Sequence, residues 1–137
     1  LILASESAVQ AQGLKPMAKI VAHARSSRLP AEFTLAPVDA ISSLLKKTGW
    51  SADDVDLWEI NEAFAMVTML AMKAHGLDHS KVNVHGGACA QGHPIGSTGS
   101  RIIVTLMHAM HHYGKERGVA ALCIGGGEAT AVAIEKC

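Results

Sequence analysis

One glycine-rich stretch carries side chains that can do chemistry. Residues 85–101 read HGGACAQGHPIGSTGSR, so five glycines surround Cys89, His93 and Pro94. Glycine at this density costs backbone entropy unless the chain needs unusual dihedral angles or a close approach to another group. Pro94 fixes its own backbone and disfavours helical geometry at His93. The pattern predicts a loop that holds one imidazole still, and it makes His93 a candidate catalytic residue.

A helix is predicted directly after this loop. Its apolar residues recur at helical spacing along one face: Ile102, Ile103, Leu106, Met107 and Met110. The N-terminus of a helix presents free N–H groups and a partial positive charge, so such a loop can bind phosphate. The stretch matches neither the G-x-G-x-x-G nor the G-x-x-x-x-G-K-[ST] motif, and no lysine follows it.

Two further stretches place reactive groups where a predicted strand ends. Asn61 follows one strand and opens a helix, and Cys123 ends another strand before three glycines, Gly125 among them. In α/β proteins, sites lie at the carboxyl ends of strands. Each stretch also has a plain structural interpretation, with Asn61 as a helix cap and Cys123 as a small buried side chain before a hairpin.

The combination indicates acyl-transfer chemistry. An imidazole beside a thiol can share a proton and lower the pKa of the thiol, and N–H groups at a glycine turn can hold an oxyanion. Cys89 lies among alanines with no base beside it, so we interpret it as a packing residue. No metal site is expected, because the histidines of the following helix (His108, His111, His112) have no carboxylate nearby and are interpreted as a solvated polar face.

Composition limits the class of protein. The 137 residues are 49% apolar, and twelve basic residues balance twelve acidic ones, so neither nucleic acid nor a membrane surface is expected as a partner. Apolar runs are short, which predicts no transmembrane helix. Three widely spaced cysteines indicate a reducing compartment without disulfides. The sequence begins mid-pattern, without a basic signal-peptide region, so we interpret it as a fragment of a longer protein.

The predicted elements alternate as strand, helix, strand, helix, strand, helix, strand, strand, after a first short helix over residues 5–12. Strands are predicted near 17–24, 55–60, 82–84, 119–124 and 130–134, and helices from Val38 to about Gly49, from Asn61 to about Ala74, and over 97–112. Residues 25–37 are predicted to be a loop. Such alternation favours an α/β domain with a largely parallel sheet and a final antiparallel pair at the glycine turn.

These motifs resemble the C-terminal half of a thiolase. The resemblance rests on N-E-A-F at 61–64, G-G-A-x-A-x-G-H-P-x-G at 86–96, T-G-x-R at 98–101 and C-x-G-x-G at 123–127, in this order over nearly the whole chain. It implies a thiolase-like half: a three-layer α/β/α arrangement with a mixed five-stranded sheet whose last strand is antiparallel. Residues 1–137 would form this domain, with 1–15 as the tail of the preceding N-terminal half.

The resemblance also implies a role for each matched residue. His93 would activate the nucleophile and line an oxyanion hole, where Asn61 would hold a water. Cys123 would be the acid/base cysteine, and the N–H of Gly125 would contribute to a second oxyanion hole. The nucleophilic cysteine of the family belongs to the other half and has no counterpart here. Glu128-Ala129 departs from the family pattern and bears on the tightness of the glycine turn.

The predicted function is therefore that of the C-terminal part of an acetyl-CoA C-acetyltransferase, inactive alone. Coenzyme A thioesters would be its substrates, with no separate cofactor and no assignable coenzyme A contacts. Its partners would be the N-terminal half and further copies, in a dimer or tetramer, in the cytoplasm or the mitochondrial matrix. The alternatives are a broad-range 3-ketoacyl-CoA thiolase of β-oxidation and a non-catalytic thiolase-like subunit.

Overall fold

The computed structural model describes all 137 residues. The chain forms five α-helices and four β-strands. In order they are α1 (Glu6–Gln12), β1 (Ala18–Ser27), α2 (Ala36–Thr48), β2 (Leu57–Ile60), α3 (Ala65–His75), α4 (Ala88–Gln91), α5 (Thr98–Tyr113), β3 (Arg117–Cys123) and β4 (Glu128–Lys136). Short 3-10 turns occupy Pro30–Glu32, Ala52–Asp54, His79–Lys81 and Ile95–Ser97.

The strands form one mixed sheet in the order β1-β4-β3-β2. β4 is antiparallel to both of its neighbours, and β2 and β3 are parallel. The antiparallel final strand is confirmed. The expectation of a largely parallel sheet was wrong, because only one of the three strand pairs is parallel.

The sheet has four strands, not the five that the resemblance implies. The predicted strand 82–84 is reduced to a single parallel bridge between Val82 and Trp58. Asn83 then turns the chain with a positive φ of 50°. Its side chain accepts a hydrogen bond from the N–H of Ile60 at 2.8 Å and donates one to the carbonyl of Ile60 at 2.9 Å. A side chain thus takes the place of the backbone ladder, and the strand ends there.

Helices cover both faces of the sheet. On one face, Ile41 and Leu44 of α2 and Ala71 of α3 pack against a buried cluster that includes Trp58 and Ile60. On the other face, α5 packs through Ile102, Leu106, Ala109 and Met110 against Leu57, Ala120 and Ile134. Successive strand residues face opposite sides, so Ala120 joins one cluster while Val119 and Ala121 join the other. This layering matches the three-layer arrangement implied by the resemblance.

Several helix ends follow their local sequence signals. Ser5 accepts a hydrogen bond from the N–H of Ala8, and Gly13, Gly49 and Gly76 end α1, α2 and α3 in the left-handed conformation. Ser51 and Asp54 form a capping box at the 3-10 turn Ala52–Asp54.

Other boundaries differ from the prediction. β1 continues to Ser27 and α2 begins at Ala36, so the predicted loop over 25–37 is shorter. α3 begins at Ala65 rather than at Asn61, because the N–H of Asn61 is bonded to the neighbouring strand. None of the helices has both the length and the apolar character needed to cross a membrane.

Candidate active site

Asn61 and Cys123 lie at the same edge of the sheet. Asn61 directly follows β2, and Cys123 is the last residue of the parallel neighbour β3. Ile60 lies opposite Ala121, and the N–H of Asn61 donates to the carbonyl of Ala121 at 2.9 Å. Asn61 therefore extends the strand pairing by one residue and is not a helix cap.

Gly125 lies at the exposed tip of the turn between β3 and β4. The turn is closed by hydrogen bonds from the N–H of Gly127 to the carbonyl of Ile124 at 3.1 Å and from the N–H of Ile124 to the carbonyl of Glu128 at 2.7 Å. Gly127 has a φ of +97°, and a Cβ there would lie 2.5 Å from the carbonyl oxygen of Arg28. The Glu128-Ala129 departure from the family pattern therefore leaves the turn tight.

His93 lies in the loop between α4 and α5. Gly92 ends α4 with a φ of +96°, and His93 is exposed. The Nδ1 atom of His93 lies 2.9 Å from the hydroxyl of Thr98, the first residue of α5, which is buried. This contact ties the imidazole to the N-terminus of α5.

The hydrogen bonds of Thr98 assign the tautomer of His93. The hydroxyl has one proton and also lies 3.1 Å from the carbonyl of Pro94. If it donates to that carbonyl, it accepts from Nδ1–H of His93, and both contacts become hydrogen bonds; the opposite assignment leaves only one. Nδ1 therefore carries a proton, and in the neutral imidazole the lone pair lies on Nε2.

One turn later, Arg101 joins two residues of the sheet edge. Its Nη1 donates to Oε1 of Glu59 at 2.8 Å, and its Nη2 donates to Oδ1 of Asn61 at 2.9 Å. Glu59 and Asn61 are buried. The loop of His93 and the end of β2 thus meet through the first turn of α5.

In the pair of Glu59 and Arg101, the carboxyl group has an unusually high pKa. Burial raises the pKa of Glu59 to about 7, and Glu62 adds to the shift, although the guanidinium of Arg101 opposes it. Nε of Arg101 is buried without an acceptor. A buried ion pair with such incomplete compensation contributes little net stability.

The thiol of Cys123 is half-buried and free. Burial raises its pKa, with a smaller opposing effect from a backbone hydrogen bond. No hydrogen bond links it to His93, so the expected lowering of a thiol pKa by the imidazole was wrong for this residue. A protonated thiol at neutral pH suits a proton donor better than a resting nucleophile.

Cys89 and Glu62 form a contact that the sequence did not reveal. The backbone N–H of Cys89 donates to Oε2 of Glu62 at 2.9 Å, and Glu62 raises the pKa of the exposed Cys89 thiol. Cys89 is therefore not a packing residue. A Cβ on Gly87 would meet this carboxylate, so a larger residue there would force the side chain of Glu62 to move. The only sequence signal for this contact was the N-E-A-F motif at 61–64, which contains Glu62.

A cavity of about 230 Å³ lies beside Glu62, Asn83 and Cys89. It includes none of Asn61, His93, Cys123 or Gly125. Of the three helical histidines, His111 binds the carbonyl of Met17 through Nε2 at 2.9 Å, and His112 packs edge-on to Tyr113.

The sequence matches the family described as thiolase, C-terminal domain, over residues 14–136. A probable acetyl-CoA acetyltransferase from Dictyostelium discoideum is 50% identical over 99% of this chain. The acetyl-CoA acetyltransferase of Escherichia coli is 47% identical over the same share. The chain spans about a third of these relatives, 33% and 34% of their lengths.

Solved structures agree in fold. A thiolase from Ascaris suum in complex with coenzyme A is 46% identical with a TM-score of 0.93, over 98% of this chain and 35% of its own. Human mitochondrial 3-ketoacyl-CoA thiolase is 45% identical with a TM-score of 0.94, over 98% and 34%. The family match over nearly the whole chain, together with this fold, shows that the chain belongs to the thiolase family as its C-terminal domain.

Proposed function

We propose that this chain is the C-terminal part of an acetyl-CoA C-acetyltransferase, which interconverts two acetyl-CoA with acetoacetyl-CoA and coenzyme A. The observation that carries the proposal is the sheet edge that holds Asn61 and the protonated thiol of Cys123, to which α5 ties the imidazole of His93 through Nδ1. The acetyl-CoA acetyltransferase names of its relatives support the substrate class.

In this proposal the first half-reaction cleaves acetoacetyl-CoA. Nε2 of His93 takes the proton of a cysteine thiol from the N-terminal half, and the resulting thiolate attacks the 3-keto carbon. The C2–C3 bond breaks, the acetyl group stays on that cysteine, and the enolate of acetyl-CoA takes the proton of Cys123. His93 and Asn61, through a water, stabilise the enolate oxygen.

The second half-reaction restores the site. The thiolate of Cys123 takes the proton of coenzyme A, whose sulfur attacks the acetyl group on the nucleophilic cysteine. The N–H of Gly125, which no hydrogen bond within the chain occupies, faces the developing oxyanion together with an N–H of the other half. Acetyl-CoA leaves as the carbon–sulfur bond to the enzyme breaks, and His93 returns its proton to the nucleophilic cysteine.

The experiment is acetoacetyl-CoA thiolysis, followed by the loss of enolate absorbance. The chain is assayed alone and then mixed with an N-terminal thiolase half that carries the nucleophile. Activity only in the mixture supports the proposal. Activity of this chain alone would make Cys89 or Cys123 the nucleophile and overturn the roles given above. Inactivity of the joined full-length enzyme would favour a non-catalytic subunit.

A broad-range 3-ketoacyl-CoA thiolase is the second candidate, favoured by the 45% identity to the human mitochondrial 3-ketoacyl-CoA thiolase. Chain-length profiling separates the two candidates. An enzyme that cleaves medium-chain 3-ketoacyl-CoA as fast as acetoacetyl-CoA belongs to the second class.

The remaining parts of the proposal concern the setting of the domain. The full enzyme is a homo-oligomer, a dimer or a tetramer, in a reducing compartment such as the cytosol or the mitochondrial matrix. Three free cysteines and the cytosolic acetyl-CoA acetyltransferase of mouse, 45% identical, support that compartment. Residues 1–15 belong to the preceding half, which fits the absence of any buried residue in α1.

A further inference from the structure

Asn61 makes only part of the hydrogen bonds that a buried amide can make. Its side chain is fully buried, and its Oδ1 accepts from Nη2 of Arg101 at 2.9 Å. Its Nδ2 is also buried and has no acceptor within the protein. A buried amide N–H₂ without a partner costs stability, so this arrangement needs a reason other than folding.

Arg101 fixes which way round the amide lies. A guanidinium has only donors, so the atom of Asn61 that faces it must be the oxygen, and the N–H₂ group must point the other way. No other side chain contacts the amide of Asn61 through a hydrogen bond. Without Arg101 the two orientations, related by a half-turn of the amide, would lose their main energetic difference.

Glu59 fixes Arg101 in turn. Its Oε1 accepts from Nη1 of Arg101 at 2.8 Å, and this side chain is only 2% exposed against 15% for that of Arg101. Nη1 and Nη2 of the planar guanidinium donate to two different residues, Glu59 and Asn61. The single nitrogen of a lysine cannot reach both with the same geometry.

We infer that Arg101 is a positioning residue: held by Glu59, it orients the amide of Asn61 so that Nδ2 donates into the site. The inference deepens the proposed function, because it rests on Asn61 stabilising the enolate there. Arg101 itself touches neither substrate nor reacting atoms in this role.

The first test measures orientation in this 137-residue chain without any activity assay. In a ¹H–¹⁵N spectrum, the side-chain amide pair of Asn61 is identified by its loss in Asn61→Ala, and its hydrogen exchange is measured. Arg101→Met should speed that exchange about tenfold or more, because loss of the charge-assisted hydrogen bond to Oδ1 frees the buried amide to turn, and turning exposes its N–H₂ group. Arg117→Met is the matched control, since Arg117 pairs with Glu135 at the other end of β3 and should leave the pair unchanged.

The second test is a double-mutant cycle on kcat in the full-length enzyme. Arg101→Met should lower kcat about tenfold when Asn61 is present and less than about threefold in the Asn61→Ala background, because the effect travels through the amide. Arg101→Lys, which keeps the charge beside Glu59, should give an intermediate loss. If Arg101→Met does not fold, the same cycle with Arg101→Lys tests whether the effect on kcat depends on Asn61.

Each outcome has a separate meaning. Equal losses in both backgrounds, or an unchanged exchange rate in Arg101→Met, would overturn the inference and leave a purely structural ion pair. If Asn61→Ala alone leaves kcat unchanged, the proposed catalytic role of Asn61 fails, and the exchange measurement still decides whether Arg101 orients the amide.

Discussion

The hydroxyl of Thr98 lies 2.9 Å from Nδ1 of His93, so Nε2 lies on the side of the imidazole that faces away from Thr98. Thr98 is buried while His93 is exposed, so a buried residue orients an exposed one. Thr98→Val keeps the shape but removes the acceptor of Nδ1–H. We expect kcat for thiolysis to fall about tenfold, in line with losing a hydrogen bond that orients a base.

Thr98→Ser is the control for that change. Serine keeps both the hydroxyl and the helix start, so kcat should stay within about threefold of the wild type. Equal losses in the two variants would mean that the methyl group, not the hydroxyl, matters at this position.

His93→Ala tests the base itself. We expect kcat/KM to fall at least about a hundredfold in the full-length enzyme, the scale of a general-base contribution. Because His93 is exposed, its loss should leave the thermal unfolding midpoint almost unchanged. Unchanged turnover would refute the assignment of His93 as the base.

Glu59 should give the chain a distinctive dependence of stability on pH. Its pKa rises from 4.5 to about 7 on folding, so between these values the folded state binds more protons than the unfolded state. The contribution of Glu59 to the free energy of unfolding is therefore complete below pH 4.5, and it is lost as pH rises through 7. The shift corresponds to about 3 kcal/mol.

Denaturant unfolding of the wild type and of Glu59→Gln at a series of pH values checks this expectation. The difference in unfolding free energy between the two should shrink as pH rises from 4.5 to 8. Asp39 and Asp56, whose pKa values are lowered, change stability with pH in the opposite direction. Their effects cancel when the free energy of one protein is subtracted from that of the other. A constant difference would show that the proton affinity of Glu59 does not change on folding.

The glycine turn after β3 offers a matched pair of variants. Gly127→Ala should destabilise the chain by about 1–3 kcal/mol or more, because position 127 has a positive φ and the added Cβ meets the carbonyl of Arg28. Gly125→Ala should change stability by less than about 1 kcal/mol, because nothing lies within 4 Å of its added Cβ. Thermal or denaturant unfolding of both variants measures the contrast, and equal effects would contradict it.

The thiols of Cys123 and Cys137 should react at different rates. Cys137 is exposed, whereas Cys123 is half-buried and its pKa is raised by burial. At pH 8, iodoacetamide should label Cys123 at least about tenfold more slowly than Cys137, because the thiolate is the reacting form. Peptide mapping over time gives both rates; faster labelling of Cys123 would contradict its assignment as a protonated acid.

Local patterns predicted much of the fold for physical reasons. Glycines 13, 49 and 76 end helices where the apolar period stops, and Cys123 precedes a hairpin because three glycines follow a buried strand. Such signals depend on a few neighbouring residues. The four proposed site residues, Asn61, His93, Cys123 and Gly125, were predicted from family motifs, which also depend on local spacing.

Features that depend on distant residues were not predicted. Asn83 ends a strand by bonding to Ile60, 23 positions away, and Arg101 reaches Glu59 across 42 positions. Asn61 resembles a helix cap in sequence, but its N–H is already bonded to Ala121 of another strand. No periodicity encodes these pairings, because they arise only when the sheet brings the segments together.

The pairing of β1 with β4 has a consequence for how the chain assembles. Ala18 pairs with Lys136 and Ser27 with Glu128, so the first strand and the last are neighbours. Contacts between such distant positions give a high contact order and slow folding. On a ribosome adding about 5–20 residues per second, β1 waits roughly 5–20 s for its only strand partner. A stop codon in place of Glu128 would therefore remove an interior strand, and β1 would have no strand of this domain to pair with.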